Sequence, residues 1–356
     1  MNTATVKRPT TWSAPMPSFY DAKNAGVWGY RPDTSKIFME AHDWRSRRAV
    51  MPATKDGKKT HLLLIDEQQD FCLPAGSLYV GGRSGRGSVE DSARTAEFIY
   101  RNLDSITRIS ATLDTHVPVQ IFFQSFWNKA DGTPVDPHTI ITVADLDAGT
   151  YVVSPQAAAT LNVDYMWLTR YARHYCAELE KAGKYKLYIW PFHCELGTEG
   201  HALVGIVKEA ATFHGFARGA DFRCEIKGGN PLTENYSVLR PEVMRSHDGK
   251  WSTQKSINFI KALLDADRVI IAGQAASHCV KSTIDDLLTE IIAKDPALAR
   301  KVYVLEDCMS SVTVPDGKGG FIMDFTSNAE DALKRFAQAG MHVVRSTDAI
   351  DSWQDF

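Results

Sequence analysis

Short apolar runs alternate along the chain with stretches whose apolar positions recur at helical spacing. The short runs predict strands at residues 62–65, 106–113, 187–190, 222–226, 269–272, 302–305 and 342–344. The periodic stretches predict helices at residues 89–103, 162–182, 254–264, 280–288 and 328–339. Continuous apolar strands are typical of parallel sheets that are buried on both faces. The pattern therefore predicts an α/β fold with a doubly wound, mainly parallel sheet flanked by helices.

The clearest strand-to-helix transition lies in residues 269–288, which read VIIAGQAASHCVKSTIDDLL. The apolar run ends at Gly273, and a helical stripe then follows at Val280, Ile284, Leu287 and Leu288. Cys279 therefore lies at a helix N-terminus, where free N–H groups and the helix dipole stabilise a thiolate. The alternative is that Cys279 is an unreactive core residue, as buried cysteines commonly are.

A carboxylate, Asp66, follows the predicted strand 62–65. Open α/β sheets build their sites at the carboxyl ends of strands, and a carboxylate is costly to bury there without a charged partner. The structural alternative is that Asp66 caps backbone N–H groups of the next loop. Asp70 is the better candidate for that capping role.

Further polar residues follow other predicted strands. Asp114 and His116 come after strand 106–113, and side chains two residues apart lie on one side of an extended chain. Alone, this pair is a weak metal-binding signal. His193 follows strand 187–190, and Lys227 follows strand 222–226 directly before two glycines. Each of these two residues, considered by itself, is more often an ordinary loop or solvated residue.

Composition narrows the class of protein. The chain has 356 residues and a formal net charge of −3, without a long basic tract, which argues against nucleic acid and anionic membranes as partners. It has neither an apolar run of the roughly 20 residues that a membrane span needs nor an apolar leader segment, so we expect a cytoplasmic protein. Its six cysteines lack CxxC spacing, which argues against a zinc knuckle or a disulfide framework.

Residues 1–58 have the character of an N-terminal extension, since proline, tryptophan and tyrosine recur without a long periodic segment. We expect this extension to pack on the core or on a neighbouring subunit. Residues 59–356 are predicted to form one α/β domain. An insertion at about residues 128–186, partly loop and partly helix, is predicted to cover the site.

Taken together, the motifs at the strand ends form a recognisable series. In order, they are IDEQQDF, DTH, WPFHCELGTEG, KGG and GQAASHCV. Over roughly residues 60–350 this series resembles the isochorismatase-like cysteine hydrolases, and most of all their nicotinamidase-related branch. The resemblance implies a catalytic triad of Asp66, Lys227 and Cys279. It also implies a cis peptide bond before Ala275 and an oxyanion hole formed by the N–H groups of Ala275 and Cys279.

The resemblance also implies a site for one divalent metal ion, zinc, iron or manganese, on Asp114, His116 and His193. No organic cofactor is implied. The related branch has a further histidine six or seven residues after the Asp-x-His motif, and this chain has Phe122 and Phe123 there. Three protein ligands and water molecules can still hold such an ion.

Phe71, Trp190 and Tyr236 match the family positions whose aromatic rings line the substrate pocket; packing in the core is the alternative for each. Together with the triad, they indicate a cysteine amidohydrolase that converts a small ring-bearing carboxamide to an acid and ammonia through a thioester on Cys279. In this mechanism Lys227, with Asp66, favours the thiolate.

Nicotinamide is the leading substrate, and we expect the enzyme to be a homo-oligomer. The alternatives are a ureido or carbamoyl amide, the vinyl ether of isochorismate, or an inactive relative that acts as a binding or scaffold subunit. The presence of all three triad residues argues against the inactive relative.

Overall fold

A computed structural model describes residues 16–183 and 185–356. The first 15 residues of the predicted N-terminal extension therefore lie outside the described residues. The strands are β1 (Thr60–Ile65), β2 (Arg108–Asp114), β3 (Trp127–Lys129), β4 (Ile140–Ile141), β5 (Tyr151–Val153), β6 (Leu187–Tyr188), β7 (Phe222–Lys227), β8 (Arg268–Gly273), β9 (Val302–Leu305), β10 (Thr313–Pro315), β11 (Phe321–Asp324) and β12 (His342–Val344). The α-helices are α1 (Thr34–Arg48), α2 (Gln69–Cys72), α3 (Gly87–Arg101), α4 (Val143–Asp147), α5 (Pro155–Leu161), α6 (Tyr165–Ala182), α7 (Gly205–Arg218), α8 (Ile257–Asp265), α9 (Lys281–Lys294) and α10 (Thr326–Gln338).

In the described part of the chain, six strands form the central sheet, in the order β12-β9-β8-β1-β2-β7, and all neighbours are parallel. The first strand of the chain, β1, lies inside the sheet. The chain then runs outward through β2 to the edge strand β7 and returns to β8 on the other side of β1. This is the doubly wound arrangement that the sequence predicts, and the prediction is confirmed. The direction of winding reverses between β1 and β8, so the carboxyl ends of these two strands border the crevice where such sheets bind ligands.

Burial on both faces explains why the sheet strands are continuously apolar. Every residue of β1 is buried, as is the run Val302–Leu305 of β9. The right-handed crossover rule for parallel strands predicts α3 and α7 on one face of the sheet and α9 and α10 on the other. Helices α3 and α7 also pack against each other. The edge strand β7 differs, since most of its residues are partly or fully exposed.

One predicted strand, 187–190, does not join this sheet. Only its first two residues form a strand, β6, which pairs in antiparallel fashion with β4 of the insertion. The next amide, that of Ile189, also donates to the insertion, at Thr139 O. The hairpin of β10 and β11 was not predicted either, because runs of three or four residues carry too little pattern to identify.

The described part of the N-terminal extension packs on α7. The ring of Trp44 in α1 contacts that of Phe213, with ring centroids 5.0 Å apart. The buried guanidinium of Arg218, at the end of α7, lies 2.6 Å from the carboxylate of Asp56. An aromatic contact and an ion pair thus hold the extension to the same helix.

The insertion is built around α6, which supports the loop after β7. The hydroxyl of Tyr171 donates to Leu232 O at 2.8 Å, and that of Tyr175 accepts from the amide of Glu234 at 3.0 Å. The loop that follows Lys227 is therefore held from the side of the insertion. Among the described residues, each helix is too short or too polar to cross a lipid bilayer.

At the carboxyl ends of β1 and β8, Gly273 lies opposite Ile65. Gly273 has φ +120°, and a Cβ atom added there would lie 2.0 Å from Ile65 O. Any side chain at this position would have to displace the backbone that leads to Asp66.

We expect Gly273→Ala to lower the free energy of unfolding by about 3 kcal/mol or more, because it adds a backbone clash to an unfavourable φ. Gly132→Ala is the matched control, since Gly132 also has a positive φ (+85°) but no atom within 4 Å of an added Cβ. The control should lose only about 1 kcal/mol. Equal losses in urea unfolding of the two variants would contradict the close approach of β1 and β8.

Candidate active site

Four neighbouring strands each deliver one polar residue to the same edge of the sheet. Asp66 follows β1, Asp114 ends β2 and Lys227 ends β7, where the register places it opposite Asp114. Cys279 lies in a turn of π-helix, Ala276–Val280, that joins β8 to α9. Sequence positions more than 200 residues apart thus meet because parallel strands share one carboxyl edge.

Asp66 is completely buried and has φ +48°, a left-handed conformation that turns its carboxylate into the site. The hydroxyl of Thr112 donates to Oδ1, and the same hydroxyl accepts from the Asp66 amide at 3.0 Å. Asp66 is therefore fixed by its neighbour on β2 and does not cap the next loop. Asp70 takes that role, since its carboxylate accepts from the amides of Ser77 and Cys194 at 3.0 and 2.7 Å.

Lys227 lies at the centre of the group. Its Nζ is 2.9 Å from Oδ2 of Asp66 and 2.9 Å from Oδ1 of Asp114. It also donates to Asn235 O at 2.9 Å and lies 3.7 Å from Sγ of Cys279. The structure thus brings the predicted residues Asp66, Lys227 and Cys279 together, with Asp114 as a fourth member.

The charges of this cluster follow from its contacts. Burial alone would lower the pKa of Lys227, but the carboxylates of Asp114 and Asp66 outweigh it and hold that pKa well above its usual value. Burial would likewise raise the pKa of Asp114, but His116 and Lys227 hold it well below the usual range. Lys227 is therefore a fixed cation and Asp114 a fixed anion at neutral pH.

The pKa of the Cys279 thiol is shifted upward, whereas the sequence predicts a stabilised thiolate and hence a lowered pKa. Burial raises its pKa well above the usual value, the charges of Asp66 and Asp114 add to this, and the favourable effect of Lys227 is smaller than burial. Burial also raises the pKa of Asp66. The local position of Cys279 therefore does not set its pKa alone, because burial, the largest effect, and two nearby carboxylates together outweigh Lys227.

The turn before Cys279 is held by backbone hydrogen bonds. The peptide bond between Gln274 and Ala275 is cis, as the resemblance implies. The amide of Ala276 donates to Ser310 O at 2.8 Å, and that of His278 to Ala275 O at 3.0 Å. Ala275 and Cys279, the two residues predicted to supply the oxyanion hole, both line the cavity described below.

The predicted metal ligands Asp114, His116 and His193 also lie together. Their ligand atoms are all within 4.8 Å of one another, and Nε2 of His116 and of His193 lie 3.0 and 3.8 Å from Oδ2 of Asp114. Atoms bound about 2 Å from one tetrahedral ion lie about 3.3 Å apart, so this spacing fits.

The protonation of the two imidazoles also fits a metal ion. His193 donates from Nδ1 to Pro191 O at 2.7 Å, which leaves Nε2 as the free ligand atom. Both ring nitrogens of His116 are buried; Nδ1 has no hydrogen-bond partner among the described residues, and Nε2 lies 3.0 Å from Oδ2 of Asp114. Burial lowers the pKa of His116, which favours the unprotonated nitrogen that metal binding requires.

Two phenylalanine rings pack against His116. Phe122 and Phe123 are completely buried, and their ring centroids lie 4.9 and 5.4 Å from that of His116. On the other side, a Cβ at Gly228 would lie 2.6 Å from Oδ1 of Asp114 and 2.9 Å from the His116 ring. These close neighbours fix the orientation of the three donors.

A small pocket, with a cavity volume of about 30 Å³, lies beside Cys279. The three predicted aromatic residues Phe71, Trp190 and Tyr236 all line it, and Nε1 of Trp190 donates to the Tyr236 hydroxyl at 2.9 Å. The remaining lining residues are Leu78, Val80, Asp114, His193, Glu234, Ala275, His278, Cys279 and Val312. The lining therefore combines aromatic and aliphatic side chains with the polar groups of Asp114, His193, Glu234, His278 and Cys279.

Five lining residues were not predicted from the sequence: Leu78, Val80, Glu234, His278 and Val312. Of these, Glu234 is the acidic one. It is buried, and burial raises its pKa well above the usual value, with a further contribution from the charge of Asp114. The available signal was its position two residues before Tyr236, since alternate residues of an extended segment face one side.

No protein-family model matches the chain, and no curated protein sequence matches it significantly. Among solved structures, it is similar to the yeast nicotinamidase bound to the inhibitor nicotinaldehyde, with 21% identity and a TM-score of 0.49 over 80% of this chain and 99% of that one. For a nicotinamidase pyrazinamidase of Acinetobacter baumanii the values are 19% and 0.48, over 83% and 99%. For the pyrazinamidase of Pyrococcus horikoshii in complex with zinc they are 18% and 0.42, over 81% and 99%.

The raised pKa of Cys279 predicts the pH dependence of its alkylation. Thiolate is the reactive form, so the rate with iodoacetamide should still be rising above pH 9, beyond the pKa of an ordinary thiol at about 8.5. Asp66→Asn removes one negative charge and should move the profile to lower pH. Mass spectrometry of the labelled peptide, with Cys279→Ala as the blank, measures this; a plateau below pH 8 in the wild type would contradict it.

The three donors predict a binding site for one zinc ion per chain. Calorimetric titration of chelator-treated protein should give one equivalent, and His116→Ala should weaken the affinity at least tenfold or so. His201→Ala is the control, because Nε2 of His201 pairs with the Thr115 hydroxyl at 2.8 Å and lies outside the donor group. Equal affinities for all three proteins would show that zinc binds elsewhere.

Proposed function

We propose that this protein is a cysteine amidohydrolase that cleaves a small, flat, ring-bearing carboxamide to a carboxylic acid and ammonia. The observation that supports this most directly is the contact of Lys227 with both Asp66 and Cys279 beside a cavity lined by aromatic residues. A nucleophile, a base and a fixed cation thus lie where a substrate carbonyl would enter.

In the first step, the thiol proton of Cys279 passes to Asp66 as Sγ attacks the amide carbon. Sγ of Cys279 and a carboxylate oxygen of Asp66 lie within 4.8 Å of each other. The pKa values of both groups are raised. Transfer between them leaves the net charge of the cluster unchanged, so no charge needs to enter or leave the buried site. Lys227 remains cationic throughout and balances the anion that forms.

The attack converts the carbonyl oxygen to an oxyanion. We assign its stabilisation to the backbone N–H groups of Ala275 and Cys279, and the loss of one such donor in other hydrolases costs about 10²–10³ in kcat. Asp66 then returns the proton to the amide nitrogen, the C–N bond breaks, and ammonia leaves a thioester on Cys279.

Hydrolysis of the thioester reverses these roles. Asp66 takes a proton from water, the hydroxide adds to the thioester carbon, and the C–S bond breaks with return of the proton to Sγ. Water and amide are thus converted to acid and ammonia, and Cys279 is regenerated as a thiol. Asp114, His116 and His193 would hold a divalent metal ion, which would supply a Lewis acid beside the cavity.

The cavity favours a neutral substrate. Phe71, Trp190 and Tyr236 offer aromatic rings to a planar group, whereas the negative charge of Asp114 would repel an anionic one. Nicotinamide, a neutral planar carboxamide, is our leading candidate. The cytoplasmic location and the homo-oligomeric state stay predictions from the sequence.

We expect Cys279→Ala to lower ammonia release by more than about a thousandfold while the melting temperature changes little, because the change removes only the nucleophile. The assay uses nicotinamide, pyrazinamide, ureido compounds and aliphatic amides. Cys224→Ala, which alters an exposed cysteine on the edge strand, is the matched control and should keep full activity. Activity of Cys279→Ala above a thousandth of wild type would refute the thioester route.

A further inference from the structure

A buried polar network lies behind the turn that precedes Cys279. It consists of Asp91 and Arg94 on α3, Gln274 after β8, and Ser310 after β9, and we call it the Asp91 network. The side chains of Asp91 and Gln274 are 2% and 0% exposed. None of the four lines the cavity, so the mechanism above makes no direct use of them.

Asp91 accepts three hydrogen bonds. Oδ2 accepts from Gln274 Nε2 at 2.9 Å and from the Ser310 hydroxyl at 2.6 Å, and Oδ1 accepts from Arg94 at 2.7 Å. Only a carboxylate offers acceptors to all three donors, because the amide of an asparagine would turn a donor towards one of them. The network is therefore specific for an acid at this position.

Gln274 is held at three points. Its side chain donates to Asp91, and Oε1 accepts from the backbone amide of Ser310 at 3.1 Å. Its backbone amide donates to Ile65 O at 2.7 Å. Ser310 O in turn accepts from the Ala276 amide at 2.8 Å. The residues on both sides of Ala275 are thus fixed to β1, α3 and the loop after β9.

We propose that Asp91, Gln274 and Ser310 are positioning residues that aim the Ala275 N–H group at the oxyanion of the reaction. The Ala275 N–H belongs to the peptide unit shared with Gln274, so the anchors of Gln274 set its direction. An oxyanion donor is effective only within about 2.7–3.1 Å of the developing charge, and an error near 1 Å can cost about 10²-fold. This proposal rests on the amidohydrolase function proposed above.

Gln274→Leu tests the proposal, since leucine has a similar size but makes none of the side-chain hydrogen bonds. We expect kcat for the best amide of the panel to fall about 10- to 100-fold with KM changed less than about twofold, because the cavity walls are untouched. Asp91→Asn should have a similar effect. The double variant should lose little more than either single one, because both changes break the same network.

Ser92→Ala is the matched control. Ser92 follows Asp91 on the same helix and is equally buried, but its hydroxyl bonds to Glu67 and Ser88 O instead of the network. It should lose stability without a loss of kcat once rates are normalised to the fraction of alkylatable Cys279. If Gln274→Leu does not fold, Ser310→Ala removes only the hydroxyl bond to Asp91 and should still lower kcat several-fold.

The outcomes separate the two proposals. An active wild type whose Gln274→Leu and Ser310→Ala variants keep kcat would overturn the positioning role and leave the amidohydrolase intact. An equal fall in kcat in the Ser92→Ala variant would overturn it too. Helix α3 would then affect the rate only through stability. A wild type that releases no ammonia from any amide would overturn both proposals.

Discussion

The ammonium group of Lys227 between two buried carboxylates is the interaction on which the site depends. The side chains of Asp66, Asp114 and Lys227 are at most 5% exposed. Ion pairing within the group therefore replaces hydration by water. Removing one member of a buried ion pair commonly costs 3–5 kcal/mol, because the remaining charge is left unpaired. These ion pairs link the ends of β1, β2 and β7. The same charges also contribute to the pKa of Cys279.

The fold and much of the candidate site could be predicted from the sequence because both follow from strand ends. Asp66, Asp114 and Lys227 each stand immediately after or at the end of an apolar run, and parallel strands bring such positions to one edge. The pairing of β6 could not be predicted, because its partner β4 is distant along the chain and is itself only two residues long. A run of two paired residues carries no signature of its partner.

The pKa of Cys279 and the Asp91 network were beyond the sequence for a different reason. Each is set by groups that are distant along the chain, 183 residues apart in the case of Asp91 and Gln274. The balance at Cys279 needs the distances to Lys227 and two carboxylates together with the degree of burial. Local position predicted a stabilised thiolate, and tertiary surroundings reversed the direction.

The position of β7 at the margin of the sheet has a consequence for how the protein loses function. Lys227 ends a strand that is bonded on one side only and whose side chains are largely in water. Edge elements with few buried contacts open in sub-global fluctuations at a lower free energy than the centre of a sheet. Partial fraying of β7 would withdraw the cation from Asp66 and Asp114 while β1 and β8 stay paired. On warming, inactivation should therefore precede the cooperative melting of the fold.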